Sequence, residues 1–345
     1  MTAPHWTWTP IAQDAQFARA FHTCTPIRGK LYLYGGVRSG DPKEPPLGDV
    51  VIFDPEQKSI CGNVPEVGAR RSHHEAVPLE ERWLCMVGGW DGSRRLSSIL
   101  GYDTETTEWA MWNSEGPNDP PVGLSSHSCT KISDKELCVV GREGGLRTQR
   151  RYASVYTLRV NPGPKTYSYK EEEWHTASRS GHSAVLVRDG AKRTKKVGYS
   201  LYVFGGRESA TVEVVGHWGQ DKVQENTEPC AQLTEQLTRL VSTKGAKRAE
   251  PKNLRHHSCS VIGPFVVVFG GETLSRGRDA VCNDLYIGDT RTSPPSWFQF
   301  PGSNPQHKRV GHRTCLVNHC LYVVGGFGAD GKTPCPEICM LDISL

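Results

Sequence analysis

The chain has no long apolar run, no glycosylation sequon and no strong excess of charge, and each absence narrows its class. No segment of the 345 residues reaches the ~18–20 consecutive apolar residues that span a bilayer, and none at its start resembles a secretory signal. Lysine and arginine total 41 against 37 acidic residues, a net charge of +4. A nucleic-acid-binding face needs a strongly basic stripe. We therefore expect neither a membrane nor a nucleic acid as partner.

Six short apolar runs are present instead, and each ends in a glycine pair or its remnant. The first glycines are at positions 35, 88, 141, 205, 270 and 325, which gives a period of roughly fifty to sixty residues. Each run has the length and the continuous apolar character of a buried β-strand. Six such units predict radially repeated four-stranded sheets, the architecture of a β-propeller.

A histidine opens each unit, on the strand before the glycine pair. The six are His22, His74, His127, His182, His257 and His312. An arginine precedes four of them by three residues, as in Arg71-Ser-His-His74. In the second unit, the third strand ends in Tyr102-Asp103 and the outer strand carries Trp109 and Trp112.

The glycine pair, the downstream Tyr-Asp step and the outer-strand tryptophan resemble the kelch repeat. The resemblance covers nearly the whole chain and implies an all-β fold, a six-bladed kelch β-propeller in one domain, residues 1–345. The expected blades are roughly 19–66, 67–122, 123–176, 177–253, 254–305, and 306–345 plus strand 5–12. Blade 3 departs from the repeat with Arg142 in place of the second glycine, and blade 4 shows no clear outer strand.

The two chain ends can complete one blade together. The last unit stops after its third strand, while Trp8 precedes His22 by almost the interval at which Trp297 precedes His312. We therefore expect the N-terminal strand to close the C-terminal blade as its outer strand, which removes a free sheet edge.

Residues 217–252 interrupt the repeat between blades 4 and 5. Within them, positions 233, 237, 240 and 241 are apolar and fall on one face of an amphipathic helix. Two uses of this helix stay open. It packs on the rim of its own propeller, or it docks a partner protein through Leu233 and Leu237.

The chain has twelve cysteines but neither a signal-like start nor a glycosylation sequon. Cys24, Cys129 and Cys259 each follow a repeat histidine by two residues, which indicates packing of a small apolar side chain. We expect reduced thiols in a reducing compartment, the cytoplasm or alternatively the nucleus.

Motifs for chemistry are weak. Residues 326–333 match the letters of a phosphate loop, but Pro334 disfavours the helix that would meet the phosphates. Cysteine and histidine show no closely paired zinc-ligand spacing, and one histidine per blade is better explained by structural hydrogen bonds. We expect no cofactor, no metal and no enzymatic activity.

Resemblance to the kelch propellers that capture peptides implies a binding face at repeat-equivalent positions. The residues that open the inner strands are Arg19, Arg71, Arg179, Arg255 and Arg309. The residues after the glycines are Val37, Trp90, Arg142, Arg207, Glu272 and Phe327. Converging guanidinium groups would favour an acidic peptide, with Trp90 and Phe327 as apolar anchors. The alternative is that the arginines pair with acidic residues inside the protein.

We expect a non-enzymatic protein–protein interaction module, a scaffold or adaptor that binds a protein or an acidic peptide on its loop face. The alternative is a substrate receptor or adaptor of a cullin-type ubiquitin ligase, a role of many kelch propellers. That role needs a BTB domain or an adaptor-binding box, and neither is evident in the sequence. The partner itself is not predictable, because loop side chains rather than the repeat select it.

Overall fold

The computed structural model describes residues 5–145, 150–174, 176–189, 198–206, 212–225, 230–275, 278–292 and 294–344. Strands dominate these residues, as the repeat predicts. The described helical segments are one α-helix, α1 (Ala231–Val241), and two short 3-10 helices, Ala15–Phe17 and Pro305–His307. No helix in this part of the chain is both long and apolar enough to traverse a bilayer.

Six antiparallel blade sheets follow one another along the chain. The strands of blade 1, from the axis outwards, are Thr23–Ile27, Lys30–Tyr34, Val50–Asp54 and Ser59–Val64. Those of blade 2 are Glu75–Leu79, Trp83–Trp90, Arg95–Asp103 and Trp109–Met111. The strands of blade 3 are Ser128–Ser133, Glu136–Gly144, Arg150–Asn161 and Thr166–Glu171. Blade 4 has three described strands, His182–Arg188, Gly198–Gly205 and Glu213–Gly219. The strands of blade 5 are Ser258–Ile262, Phe265–Phe269, Leu285–Asp289 and Ser296–Phe300. Those of blade 6 are Arg313–Val317, Cys320–Val324, Glu337–Ser344 and the N-terminal strand His5–Gln13.

Short strands add to three places in this framework. Asn113–Ser114 pairs with the outer strand of blade 3, and Lys247–Arg248 pairs with the outer strand of blade 5. A small separate sheet lies beside blade 5 and consists of Leu254–Arg255, Glu272–Ser275 and Arg278–Val281.

A closed circle of six backbone hydrogen bonds joins the blades at the axis. The residue directly before each repeat histidine donates its N–H to the carbonyl of its counterpart in the preceding blade, at 2.8–3.0 Å. The circle runs through Phe21, His73, Ser126, Gly181, His256 and Gly311 and returns to Phe21. The innermost strands touch in the same cyclic order. The six-bladed wheel predicted from the sequence is therefore confirmed.

The repeat glycines allow neighbouring blades to touch. A side chain on Gly141 would lie 2.6 Å from the carbonyl oxygen of Arg179 and 2.8 Å from the ring of His182, both in the next blade. The same contact recurs at every boundary and ends with Gly325 of blade 6 against His22 of blade 1. The first glycine of each pair is thus explained by its close approach to the histidine of the next blade, and the second lies against the histidine of its own blade, as Gly206 does against His182.

The N-terminal strand closes the C-terminal blade, as predicted. Its register aligns Trp6 with Ile343 and Trp8 with Leu341 in an antiparallel pair. The Trp8 ring is buried, with its centroid 4.8 Å from that of Phe269 in blade 5. The strand therefore both covers the edge of blade 6 and packs against its neighbour.

Helix α1 packs on its own propeller. Its apolar face, which includes Leu233 and Leu237, is buried in a cluster with Phe265 of blade 5 and Ile343 of blade 6. Gln236 also donates a hydrogen bond from Nε2 to the carbonyl of Ile343 at 3.2 Å. The sequence left open whether this helix packs on its own propeller or docks a partner protein. The contacts are those of a helix packed on the rim of its own propeller.

Candidate interaction surface at the loop face

A bowl of about 450 Å³ lies on the face where the repeat glycines end their strands. We call it the loop-face bowl, and its main lining residues are Phe21, Val37, Asp41, Glu44, Ser72, His73, Trp90, Arg95, Ser125, Glu143, Glu272, Val310 and Phe327. They come from blades 1, 2, 3, 5 and 6, so the bowl is centred on the wheel rather than on one blade. Phe21 and His73 also line the axial channel, which places them at its mouth.

Isolated antiparallel bridges build the wall of the bowl. Each joins the residue after a repeat glycine pair, or its equivalent, to a residue two positions before the repeat histidine of the same blade. The bridges are Ala20 with Val37, Ser72 with Trp90, Ser125 with Glu143, and Val310 with Phe327. Of the post-glycine residues predicted from the sequence, four therefore lie at this face: Val37, Trp90, Glu272 and Phe327.

The floor of the bowl is aromatic. The Phe21 ring stacks on His73 with centroids 4.1 Å apart and meets His256 edge-on at 4.9 Å. All three residues have φ between 53° and 56°, whereas the equivalent positions in blades 4 and 6 are Gly181 and Gly311. A residue with a side chain costs about 1–2 kcal/mol in this left-handed conformation. Retaining three rings there indicates a role for the rings themselves.

The floor carries no charge at neutral pH. Burial lowers the pKa of His73 to about 4, and the nearby Glu143 carboxylate only partly opposes this shift. Burial also lowers the pKa of His256 well below its ordinary value, and the neighbouring His73 and Arg255 add to the shift. Both imidazoles are therefore neutral and act as flat, weakly polar surfaces.

The wall of the bowl contains ion pairs. Arg95 lies over the Trp90 ring at 5.6 Å and 3.8 Å from a carboxylate oxygen of Glu143. Arg255 forms an ion pair with Glu272 on the opposite side. In the described lining, the charged side chains are four carboxylates and the Arg95 guanidinium.

Four of the arginines predicted as binding residues lie inside the blades, exposed by no more than 3%: Arg19, Arg71, Arg179 and Arg309. Arg19 forms a bidentate ion pair with Asp49 at 2.9 and 3.0 Å and donates to the carbonyl of Gly35. Arg71 donates to the carbonyls of Gly88 at 2.9 Å and Ser98 at 2.7 Å. These arginines brace the opening of the inner strand against other strands of the same blade.

Arg179 and Arg309 follow the same pattern. Their contacts are those expected if the arginines pair with acidic residues inside the protein, the alternative given by the sequence. Arg179 pairs with Glu213 at 2.7 Å, and Arg309 pairs with Glu337 at 3.1 Å. Successive side chains of an extended segment point to opposite sides. The arginine therefore points into the blade and the next residue faces the bowl. A role of these arginines in partner binding stays a prediction that the arrangement does not favour.

The other predicted residues are distributed as follows. Trp90 is half-buried in the bowl wall, and Phe327, which belongs to the same wall, is only 4% exposed. Arg142 is buried with its guanidinium 5.6 Å from the centroid of the Tyr156 ring. Arg255 lies half-buried beside the bowl in its ion pair with Glu272. Arg207 falls outside the described residues.

Sequence reasoning missed the aromatic floor and one wall residue. Aligning the six units on their histidines would have shown Phe21, His73 and His256 at a position where two blades have glycine. Because Arg142 stands in place of the second glycine of blade 3, the post-glycine position belongs to Glu143 and not, as we predicted from the sequence, to Arg142.

The axial channel below the floor has a volume of about 170 Å³ and contains one ion pair. Arg313 of blade 6 reaches Glu75 of blade 2 at 2.7 Å and donates to the carbonyl of His22 at 3.1 Å. Among the described residues, no three histidine, cysteine, aspartate or glutamate side chains are arranged to hold a metal ion. The phosphate-loop lookalike is a turn capped by Asp330, which accepts the N–H groups of Lys332 and Thr333.

The closed ring of six repeats, with a bowl at its mouth, defines a six-bladed β-propeller. The KLHDC2/KLHL20/DRC7 Kelch-repeats domain family matches residues 1–141 and 144–344. The chain belongs to the kelch-repeat family.

Similar proteins are found in animals. Kelch domain-containing protein 9 of Homo sapiens is 54% identical over 341 residues, which cover 98% of this chain and 95% of the human protein. The protein of the same name from Mus musculus is 52% identical over 340 residues, 99% of this chain and 96% of the mouse protein. The Leucine-zipper-like transcriptional regulator 1 homolog of Drosophila melanogaster is 22% identical and matches over 31% of its own length.

Proposed function

We propose that this propeller is a non-enzymatic interaction module that receives a segment of another protein in the loop-face bowl. The observation that carries the proposal is the aromatic floor. Phe21, His73 and His256 keep their rings at backbone positions that favour glycine; Phe21 and His73 line the bowl, and His256 lines the axial channel at its mouth. Strain retained without a structural requirement is typical of a binding site.

The size and composition of the bowl support the entry of an apolar side chain. Ligand pockets commonly measure about 300–1,000 Å³, and the bowl falls within that range. Trp90 stands in its wall beside the floor, and tryptophan is enriched among the residues that contribute most to binding energy. An apolar residue of the partner would stack between Trp90 and the Phe21 ring.

The described lining does not favour the acidic peptide expected from the sequence. That expectation rested on guanidinium groups, and four of the arginines are buried in internal hydrogen bonds and ion pairs. A carboxylate that entered the bowl would instead approach Asp41, Glu44, Glu143 and Glu272. Like charges in a partly enclosed site repel each other. We therefore propose the apolar side chain, rather than an acidic group, as the main anchor.

The test uses the full chain in proximity labelling in cells, with the double variant Phe21→Gly and Trp90→Ala. Glycine accepts the left-handed backbone of position 21, so relief of about 1 kcal/mol offsets part of the lost ring contacts. The fold should survive, with a melting temperature within a few degrees of the parent, while the labelled neighbours are lost.

The matched control is Met111→Ala, which removes an apolar side chain exposed by 52% from the outer strand of blade 2. It lies on the same blade as Trp90 but away from the bowl, so its neighbours should match those of the parent. If the bowl variant keeps every neighbour of the parent, the bowl is not the binding site.

The second function considered from the sequence, a substrate receptor of a cullin-type ubiquitin ligase, needs a surface for the ligase adaptor. Neither a BTB domain nor an adaptor-binding box is evident in the sequence, and helix α1 does not present an apolar docking face in their place. Its apolar residues Leu233 and Leu237 are instead buried against blades 5 and 6. No contact of the described residues favours the receptor over a general interaction module.

A further inference from the structure

Blade 4 has no outer strand among the described residues. Its sheet consists of three strands, and the third, Glu213–Gly219, lies at the edge. In each of the other five blades an antiparallel outer strand pairs with the third strand. The edge of blade 4 therefore differs from every other blade in the backbone groups that it leaves unpaired within the sheet.

The chain that follows blade 4 runs to other parts of the propeller. The N–H of Gln224 donates to the carbonyl of Ile132 in blade 3 at 2.9 Å. Helix α1 then packs on blades 5 and 6, and Lys247–Arg248 pairs with the outer strand of blade 5. The described parts of the segment that fills the outer position in other blades are thus engaged elsewhere.

Apolar side chains are exposed at this edge. Val214 is 48% exposed and Trp174 is 39% exposed, and they are two of the five large apolar residues exposed in the described chain. The Trp174 ring meets Trp218 edge-on with centroids 5.8 Å apart. Val214 pairs with Tyr202 and Gly216 pairs with Leu201, so Val214 lies on the face of the sheet opposite to the two tryptophan rings. The edge therefore carries an exposed apolar side chain on each face, which favours an interaction surface.

The aromatic position of the missing strand is already occupied. In blade 5, a side chain on Gly288 of the third strand would meet the outer-strand Trp297 at 2.9 Å. In blade 4, a side chain on Gly216 would meet Trp218 at 2.8 Å and Trp174 at 2.9 Å. Internal rings therefore cover the glycine of blade 4, and what the described part of the blade lacks is the backbone of a fourth strand.

We propose that Glu213–Gly219 binds an extended segment of a partner protein, which adds to blade 4 as an antiparallel fourth strand. Backbone hydrogen bonds supply the affinity in strand addition, and side chains beside the edge supply the specificity. Here Val214 and Trp174 would contact apolar side chains of the added strand. The edge strand contains no lysine or proline, its carboxylate Glu213 is held in the ion pair with Arg179, and its β-bulge is confined to Val215.

A second copy of this chain fits the edge less well than a partner segment. The edge strand is seven residues long. Pairing two propellers through it would bury much less than the ~1,200 Å² of a specific protein–protein interface. A flexible segment of five to seven residues can occupy the same edge without bringing two rigid wheels together. This proposal does not depend on the loop-face bowl.

The experiment adds a synthetic peptide to the full chain and measures amide hydrogen exchange. The peptide is the natural outer strand Ser296–Phe300 with two lysines at each end for solubility. We expect slower exchange at residues 213–219 and no change at residues 285–289, because blade 5 already holds this strand. The same peptide with Phe298→Pro cannot complete the ladder and should protect nothing.

Two variants locate the site. Val214→Lys should abolish the protection, because a charged side chain at the edge opposes strand addition. Val67→Lys changes a valine exposed by 57% outside the strands of blade 4 and should leave the protection intact. The proposal is overturned if millimolar peptide protects nothing, or if the proline peptide protects residues 213–219 equally. Protection that increases with protein concentration alone would assign the edge to a second copy and also overturn it.

Discussion

Acidification to about pH 5 is expected to unfold the propeller, because its repeat histidines are buried as neutral rings. Burial lowers the pKa of His127, His182 and His312 to about 3 and that of His257 to about 4. The pKa values of the other two repeat histidines, His22 and His74, are lowered as well, first by burial and then by nearby arginines.

The size of the effect follows from proton binding. An unfolded histidine titrates near its ordinary pKa of about 6.5, so below that pH the unfolded chain binds protons that the folded chain does not. The stability is fully present above pH 6.5 and is lost as the pH falls towards the folded values. Each histidine removes about 1.4 kcal/mol per pH unit, or about 2 kcal/mol at pH 5. Four of them together remove about 8 kcal/mol, which is comparable with the ~5–15 kcal/mol that stabilises a domain.

Carboxylates contribute in a lower pH range. Ion pairing and hydrogen bonds lower the pKa values of Asp54 and Glu213 from their ordinary values of 3.8 and 4.5. Their stabilisation is therefore present above those values and is lost only as the pH falls below them. Loss of stability between pH 6.5 and pH 5 thus reports on the histidines.

The measurement is urea unfolding followed by tryptophan fluorescence at half-unit steps from pH 7.5 to pH 5. We expect the free energy of unfolding to be flat above pH 7 and to fall by at least about 5 kcal/mol per unit below pH 6. His127→Gln should reduce that slope by about 1.4 kcal/mol per unit. His5→Gln, at an exposed position of the N-terminal strand, should leave it unchanged. A flat profile down to pH 5.5 would refute the neutral, buried state of the six rings.

Two further predictions concern the ring itself. Deleting residues 1–12 should lower the melting temperature of the whole propeller, since it uncovers the edge of blade 6 and removes buried Trp8; Trp8→Ala alone should cost about 3–5 kcal/mol in urea unfolding. An unchanged midpoint in the deletion would contradict the closure. Arg71→Ala should lower the unfolding free energy by about 3 kcal/mol, because the carbonyls of Gly88 and Ser98 lose their donor, whereas the exposed Arg94→Ala should change it by less than about 0.5 kcal/mol. Equal effects of the two substitutions would argue against an internal brace.

The architecture was predictable from the sequence because the repeat states the same constraint six times. A glycine that must touch the histidine of the next blade cannot be replaced without a clash, as the contact of Gly141 with His182 shows. The partner strand of blade 6 was predictable for a related reason. The spacing of Trp8 matches that of Trp297, and both rings end in buried positions next to a third strand.

The residues of the loop-face bowl were harder to predict, because the residue that lines the bowl comes one position after the arginine that the repeat pattern marks. The repeat pattern singles out Arg71 and its equivalents, but those side chains turn inwards and Ser72 turns to the bowl. A regular pattern marks residues that every blade needs for packing. The residues that line the loop-face bowl are those in which the blades differ, such as Phe21, His73 and Trp90.

Departures from the repeat are informative for the same reason. Two of them, Glu75 and Arg313, explain how the last blade is held to the first part of the ring near the axis. Four repeat histidines share a hydrogen bond with a hydroxyl in the preceding blade, as His182 does with Ser128 at 3.0 Å. At the equivalent positions before His127 and His22 stand Glu75 and Arg313. These two side chains pair with each other across the channel. A hydroxyl links only adjacent blades, whereas this ion pair links blade 6 to blade 2 past blade 1. In these two repeats the hydroxyl–histidine hydrogen bond is replaced by the Glu75–Arg313 ion pair. This ion pair links the last blade to the first part of the ring near the axis, whereas the N-terminal strand links the chain ends at the outer edge of blade 6.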